Sequence, residues 1–495
     1  MKIQLLIISI FLFFGCSSEH PNIKKTDTYN ITFSSSNPDI VKVDAKITLE
    51  DSLLYMSPNG PVPERWKDYI SDLRATSDNG ENIELTTYED DGWLVKGNQG
   101  NERINLSYTL NVNHEEKDWP GGIDGVAFVR EWGVMLTGRS LFLMNGTDKN
   151  SVTVTFNLPE TWRISTPWQK NSVTEISYIV ENLNQLQESI LFAGTFEEFE
   201  ITRENFTLVF ALGGDGIARD KPRYSKLATE SLNYYSNLLK GSPNPASENN
   251  HSRMLVLVNR GENVDGEVIG NNINLFINPD ADSQNQTIGW FIYTHEFFHL
   301  WNGKSITFEG TESDWFKEGI TNYYALKALI NAGMVDEKMV MNVLNDLFYN
   351  KYINDSGYGK LAPAYVASGF DKDNHWGLIY GGGLFAGICI DMDLRQNSNN
   401  QLSLDTVMRN LYSKYAVKNQ SINNKILLDE INSLSGTDFT QFFSDYITGT
   451  QIIPLGEYLN FAGIKVTTDN KSLALVHKSE KTELEFKLWE GFLGK

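Results

Sequence analysis

Between positions 29 and 212 apolar and polar residues alternate in short runs, such as Val41-Lys42-Val43-Asp44-Ala45-Lys46-Ile47, Ile104-Asn105-Leu106-Ser107-Tyr108-Thr109-Leu110 and Val152-Thr153-Val154-Thr155-Phe156, with Gly, Pro and Asn between them. A period of two puts one face of each run on a core and the other in water, so this region predicts a β-sandwich or saddle. The period then lengthens. Residues 221–239 read as a helix, a Pro- and Asn-rich loop follows at 242–250, and 254–258 reads as a strand. Over 287–302, Ile288, Phe291, Ile292, His295 and His299 recur at helical spacing, and Gly303 supplies a stop. Thr311 or Ser313 can cap a second helix, in which Trp315, Glu318, Asn322, Ala325 and Leu329 share one stripe before Gly333 ends it. A polar break at 397–401 precedes a helical pattern from 403 to 446, and strand patterns recur at 464–466 and 473–476. The fold class is α+β multidomain: an N-terminal β domain at 29–212, an α/β domain at 213–395, a helical C-terminal domain at 396–460 and a short β-rich tail at 461–495.

The chain's start has a different character. Lys2 precedes an apolar run from Ile3 to Phe14, then Gly15-Cys16-Ser17-Ser18, which has the charged, apolar and small-residue regions of a secretory signal. A membrane-spanning helix needs about 18 or more apolar residues, so this run is too short for one. A cysteine at the small-residue site resembles a bacterial lipoprotein signal: residues 1–16 are then a signal peptide, Cys16 is the acylated N-terminus and 17–28 is a tether. A plain signal peptide with an incidental cysteine is the other reading. The expected location is the bacterial cell envelope, on the periplasmic face or the surface, with a lipid anchor in the membrane. With Cys16 acylated, Cys389 is left alone, no intrachain disulfide can form, and its apolar surroundings at 384–394 make it a small core residue. The net charge of −21 repels nucleic acid and excludes it as a partner.

The candidate chemistry lies in the two central helices. His295-Glu296-Phe297-Phe298-His299 is followed nineteen positions later by Glu318. Residues four apart share a helix face, so both imidazoles can reach one ion, and a carboxylate from the second helix can complete the set. Two imidazoles and one carboxylate suit Zn2+, and three protein ligands leave the fourth tetrahedral position open for water. Glu318 points where the core-facing residues point. A buried carboxylate without a partner costs several kcal/mol, so a cation or a hydrogen-bond network should meet it. Asn322, one turn on, is either an outer partner of this group or a packing residue. The competing reading is an ordinary amphipathic helix whose histidines are satisfied locally.

At these residues a resemblance becomes specific. HEFFHLWN at 295–302 and WFKEGITNYY at 315–324 resemble the glycyl aminopeptidase family of gluzincin metallopeptidases, relatives of thermolysin-like enzymes. IYGGG at 379–383, leading to DMDLR at 391–395, is similar to the family's tyrosine motif and its following helix, and FFSDYITGT at 442–450 with PLGEYL at 454–459 resembles the end of its helical domain. The resemblance implies a thermolysin-like catalytic domain, Zn2+ held by His295, His299 and Glu318, and peptides as substrates. It implies that Glu296 is the general base and then the general acid, that Tyr380 donates a hydrogen bond to the oxyanion, and that Glu267, in the segment 264–277 read as a turn and then a strand, holds the free ammonium of an aminopeptidase substrate. From the residues alone Tyr380 reads equally as a packing tyrosine and Glu267 as an exposed loop glutamate. Three departures bear on specificity: glycines at 381–383 replace a lysine, Val268 stands where relatives have histidine, and Gly303-Lys304-Ser305-Ile306-Thr307 replaces a basic run. Many relatives carry a PDZ module at the C-terminal end, which is not expected here. A zinc endopeptidase of the same fold and a non-catalytic peptide-binding lipoprotein remain the alternatives.

Overall fold

Strand Ile40–Thr48 buries every second residue, Val41, Val43, Ala45 and Ile47, and Arg103–Asn111 does the same with Ile104, Leu106, Tyr108 and Leu110. The two pair antiparallel, Val43 opposite Tyr108 and Ala45 opposite Leu106, at the centre of an eight-stranded sheet. Two four-stranded sheets contribute to the same apolar core. These relations come from a computed structural model that describes residues 26–494 except 59–64, 90–91, 98–101, 115–125, 148–150, 174, 244–252, 368–370 and 469–471. The expected signal peptide, Cys16 and most of the tether lie outside the described residues.

One of the smaller sheets is apolar on both faces. In Ile190–Gly194, Leu191 and Ala193 face the N-terminal core, whereas Ile190 and Phe192 pack with Val209, Ala211, Leu255 and Leu257 of the next sheet. This strand therefore carries a continuous apolar run instead of alternation. The next sheet has five strands in the order Glu197–Arg203, Phe206–Gly213, Arg253–Arg260, Asn272–Ile277, Asp265–Ile269. Its first two strands, grouped by sequence with the N-terminal region, hydrogen-bond here, with Phe206–Gly213 parallel to Arg253–Arg260. A strand pattern reads the same on either side of a domain junction; only its partner reveals the side. The segment around Glu267 also differs from a turn followed by one strand. It is a hairpin, with Asp265–Ile269 forming an antiparallel edge and Gly270 turning at φ +62°.

Helices Lys221–Leu239, Ser283–Phe298 and Asp314–Asn331 cover the sheet's other face and share a core with Phe210, Leu212, Val256 and Val258. Ser283–Phe298 starts earlier than its apolar pattern suggests, because Asp282 caps it by accepting from the Asn285 amide and its first turn is polar. A π-helical turn, Gly377–Gly382, runs into helix Gly383–Asn397. By length and composition 377–397 could cross a membrane, but 94% of its apolar window is packed inside the protein, with Cys389 fully buried. Helices Leu404–Lys414 and Asn424–Leu434 follow. The tail contains the hairpin Ile464–Thr468 and Leu473–His477, and also a helix, Glu483–Phe492, opened by a capping box between Thr482 and Glu485.

Candidate metal centre

Phe291, Tyr293, Phe297 and Phe298 hold helix Ser283–Phe298 in the core, so its position is fixed by side chains worth roughly 1.5–3 kcal/mol each on burial. His295 is buried, while Glu296 and His299 are half-buried. The adjacent helix Asp314–Asn331 presents the buried Glu318. His299 Nε2 lies 3.1 Å from His295 Nε2, and Glu318 Oε2 lies 3.1 Å from His299 Nε2 and 3.4 Å from His295 Nε2. Glu296 reaches the same place, its carboxylate lying within 4.8 Å of both imidazoles without a hydrogen bond among the described residues.

Outer contacts fix both imidazoles. His295 Nδ1 is 2.7 Å from Asn322 Oδ1, and His299 Nδ1 is 2.9 Å from the Asn302 carbonyl. Those oxygens can only accept, so each Nδ1 carries the proton and each Nε2 of a neutral ring keeps its lone pair. Asn302 also donates to the Lys317 carbonyl and to Thr321 Oγ1, tying the end of the first helix to the second. Asn322 Nδ2 donates to the Tyr380 carbonyl. One amide thus orients His295 and holds the π turn. Burial alone would raise the Glu318 carboxyl and lower the His299 imidazole, but their mutual attraction, with Lys372 assisting, holds the first well below and the second above its usual range.

The residues fit a metal. Three lone-pair donors separated by 3.1–3.4 Å repel one another unless a proton or a cation joins them. Those separations match the edge, about 3.3 Å, of a tetrahedron drawn with zinc–ligand distances of about 2.0–2.1 Å. His295, Glu296 and His299 bring their donor atoms within 4.8 Å of one another, a group that could hold a metal ion, and Glu318 Oε2 lies against both imidazoles.

Tyr380 stands beside this group. Its ring stacks on Trp376 at 4.9 Å and 4°, and its centroid is 6.0 Å from that of His295. Glu267 is not in contact with the imidazoles. It lies on the edge strand opposite Asn274, and the neighbouring Gly266 packs so closely that a Cβ there would come 2.9 Å from Ile292, one turn before Glu296 on the motif helix. It is half-buried, not an exposed loop residue: Oε2 is buried and has no hydrogen-bond partner among the described residues, and burial pushes its carboxyl up to about 7, with Arg139 pulling it down and Asp265 raising it. Reading the sequence misses Lys372 and Trp376, which belong to a polar stretch far from the motif. Asn302 had a signal, since it closes the HEFFHLWN run.

Two histidines and a carboxylate converging from crossing helices, beneath a sheet with an antiparallel edge strand, define a metallopeptidase. Residues 28–195 match the family model described as Peptidase M61 N-terminal domain, and residues 290–376 match that of M61 glycyl aminopeptidase. The two matches span just over half of the chain, which belongs to this glycyl aminopeptidase family and is a zinc metallopeptidase. A solved structure of an aminopeptidase N family protein from Idiomarina loihiensis superposes with a TM-score of 0.73 at 18% identity, over 89% of this chain and 79% of that one, which shows a shared fold. No curated protein matches the chain.

Proposed function

We propose that the protein is a zinc aminopeptidase, with His295, His299 and Glu318 holding the ion and peptides bearing a free amino terminus as substrates. Zinc bound there supplies Lewis acidity to the scissile carbonyl and to the attacking water. Glu296, beside the imidazoles and without a competing hydrogen bond among the described residues, takes the proton of that water and later returns it to the leaving amine. Tyr380, whose ring lies beside His295, would donate its hydroxyl to the oxygen on which charge develops, a kind of contact worth about 3–4 kcal/mol when removed. Asn322 and Asn302 keep both imidazoles in the tautomer that presents Nε2.

The observation that carries the exopeptidase reading is Glu267. A carboxylate on the sheet's edge strand, with a buried oxygen that has no hydrogen-bond partner among the described residues, is a position that a substrate ammonium would satisfy. The same peptide assayed with a free and with an acetylated N-terminus tests this: the free peptide should be cleaved far faster, and equal rates would make the enzyme an endopeptidase. The pattern from Lys2 to Ser18 supports a lipid anchor on Cys16 and a place in the bacterial envelope.

A further inference from the structure

The two oxygens of Glu318 meet different partners. Oε2 faces the imidazoles, at 3.1 and 3.4 Å, whereas Oε1 accepts from Lys372 Nζ at 2.5 Å. Lys372 is also 3.3 Å from Asp314 Oδ2, and its ammonium lies 5.4 Å from the centroid of the Tyr380 ring. Asp314, one helical turn before Glu318, is buried and is paired through its other oxygen with Lys317 at 2.7 Å. Lys317 is the more distant cation from Glu318, at 3.7 Å. Asp314 therefore anchors the Lys372 ammonium at one side, and Glu318 receives it at the other.

A carboxylate can offer a metal one oxygen or two, and rotation about its last side-chain bond exchanges them. A charge-assisted hydrogen bond to one oxygen settles the choice. We propose that Lys372 is a positioning residue for the metal centre: by occupying Oε1, and held there by Asp314, it makes Glu318 a ligand through Oε2 alone. This rests on the assignment of Glu318 as a metal ligand. It also ties the metal site to the segment that leads to Tyr380, because Lys372 and the π turn belong to one stretch of chain. A simple electrostatic role would act in the opposite sense. A cation near a divalent ion weakens its binding, so losing that charge should tighten it; losing a partner that orients a ligand should weaken it, typically by 10- to 100-fold.

The test compares the full chain with Lys372→Gln and Lys372→Arg. Each metal-free protein is checked for folding by circular dichroism, its zinc affinity is measured by competition with a chromogenic chelator, and its visible spectrum is recorded with Co2+. Lys372→Gln should bind zinc about 10-fold or more weakly, because Glu318 loses the partner that orients it, and should show an altered Co2+ spectrum, because both carboxylate oxygens can then reach the ion. Lys372→Arg should stay close to the wild type in both. Should Lys372→Gln fail to fold, Asp314→Asn, which loosens the ammonium without removing it, should shift affinity and spectrum in the same direction. A folded Lys372→Gln or Asp314→Asn protein with unchanged affinity and spectrum, or with tighter binding, overturns the proposal while leaving the metal centre in place. A wild-type protein that binds neither ion overturns the centre itself and the role of Lys372 with it.

Discussion

Gly319 and Gly383 meet backbone against backbone: a Cβ on Gly319 would stand 2.1 Å from the Gly383 carbonyl carbon, and one on Gly383 would stand 2.0 Å from the Trp315 carbonyl oxygen. Neither contact leaves space for a methyl group. The helix carrying Glu318 and the helix that follows Tyr380 can approach this closely because both positions lack a side chain, which brings the π turn alongside His295.

Gly319→Ala should therefore separate the two helices. Overpacking of this kind costs about 1–3 kcal/mol. The melting temperature should fall by several degrees, and turnover should fall more steeply than stability, because Tyr380 moves away from His295. A thermal melt beside a kcat measurement on the folded variant checks both.

Asn322 joins the two halves of the site through His295 Nδ1 and the Tyr380 carbonyl. Asn322→Ala removes the acceptor that sets the His295 tautomer, and zinc affinity should drop by about 10- to 100-fold. Chelator competition reads this directly, and stripping the wild type with chelator should abolish hydrolysis until zinc is restored.

Glu267 gives the pH dependence a sign. Burial raises its carboxyl from 4.5 to about 7, so it becomes an anion only as the pH passes neutrality. KM for a peptide with a free amino terminus should fall as pH rises through about 7, and Glu267→Gln should remove that step. Stability runs the other way. A carboxyl raised on folding is favourable to the folded state while protonated, and that contribution is lost between its unfolded value of 4.5 and about 7. The melting temperature of Glu267→Gln minus that of the wild type should accordingly grow over that interval and then level off.

Lipid attachment predicts that Cys16→Ser yields a protein lacking an acyl chain. Labelled palmitate incorporated by bacteria expressing the full chain should appear in the wild type and not in the variant; equal labelling, or none in either, contradicts the anchor.

The metal site was legible because its chemistry is local. Four-residue spacing on one helix and the stripe on a second grouped His295, His299 and Glu318 as candidates and singled out Asn322 as a candidate outer partner. The expected side-chain cap is not made: Ser313 donates to Asn424 Oδ1 instead. Other features depend on pairing between distant segments. The strands Glu197–Arg203 and Phe206–Gly213 look like their N-terminal neighbours until their hydrogen bonds are seen. Glu267 shows no sign in sequence of lying on an edge strand against Ile292, because the hairpin's turn is one glycine among several. Lys372 is separated from Glu318 by 54 positions and carries no periodic signal, so only the fold brings them together. The tail helix Glu483–Phe492 was readable in principle from its capping box, which the neighbouring strand patterns obscured.

In the proposed centre, His295, His299 and Glu318 bind zinc while Glu296 moves the proton without being a ligand. Glu296→Gln keeps the shape of the side chain and removes its basicity. Measured side by side, zinc content and peptide hydrolysis should separate: the variant should retain stoichiometric zinc and lose turnover by a factor of 100 or more, the scale of general acid–base catalysis at about 10²–10⁴. A variant that hydrolyses peptide as fast as the wild type, or that loses its zinc together with its activity, would contradict this assignment.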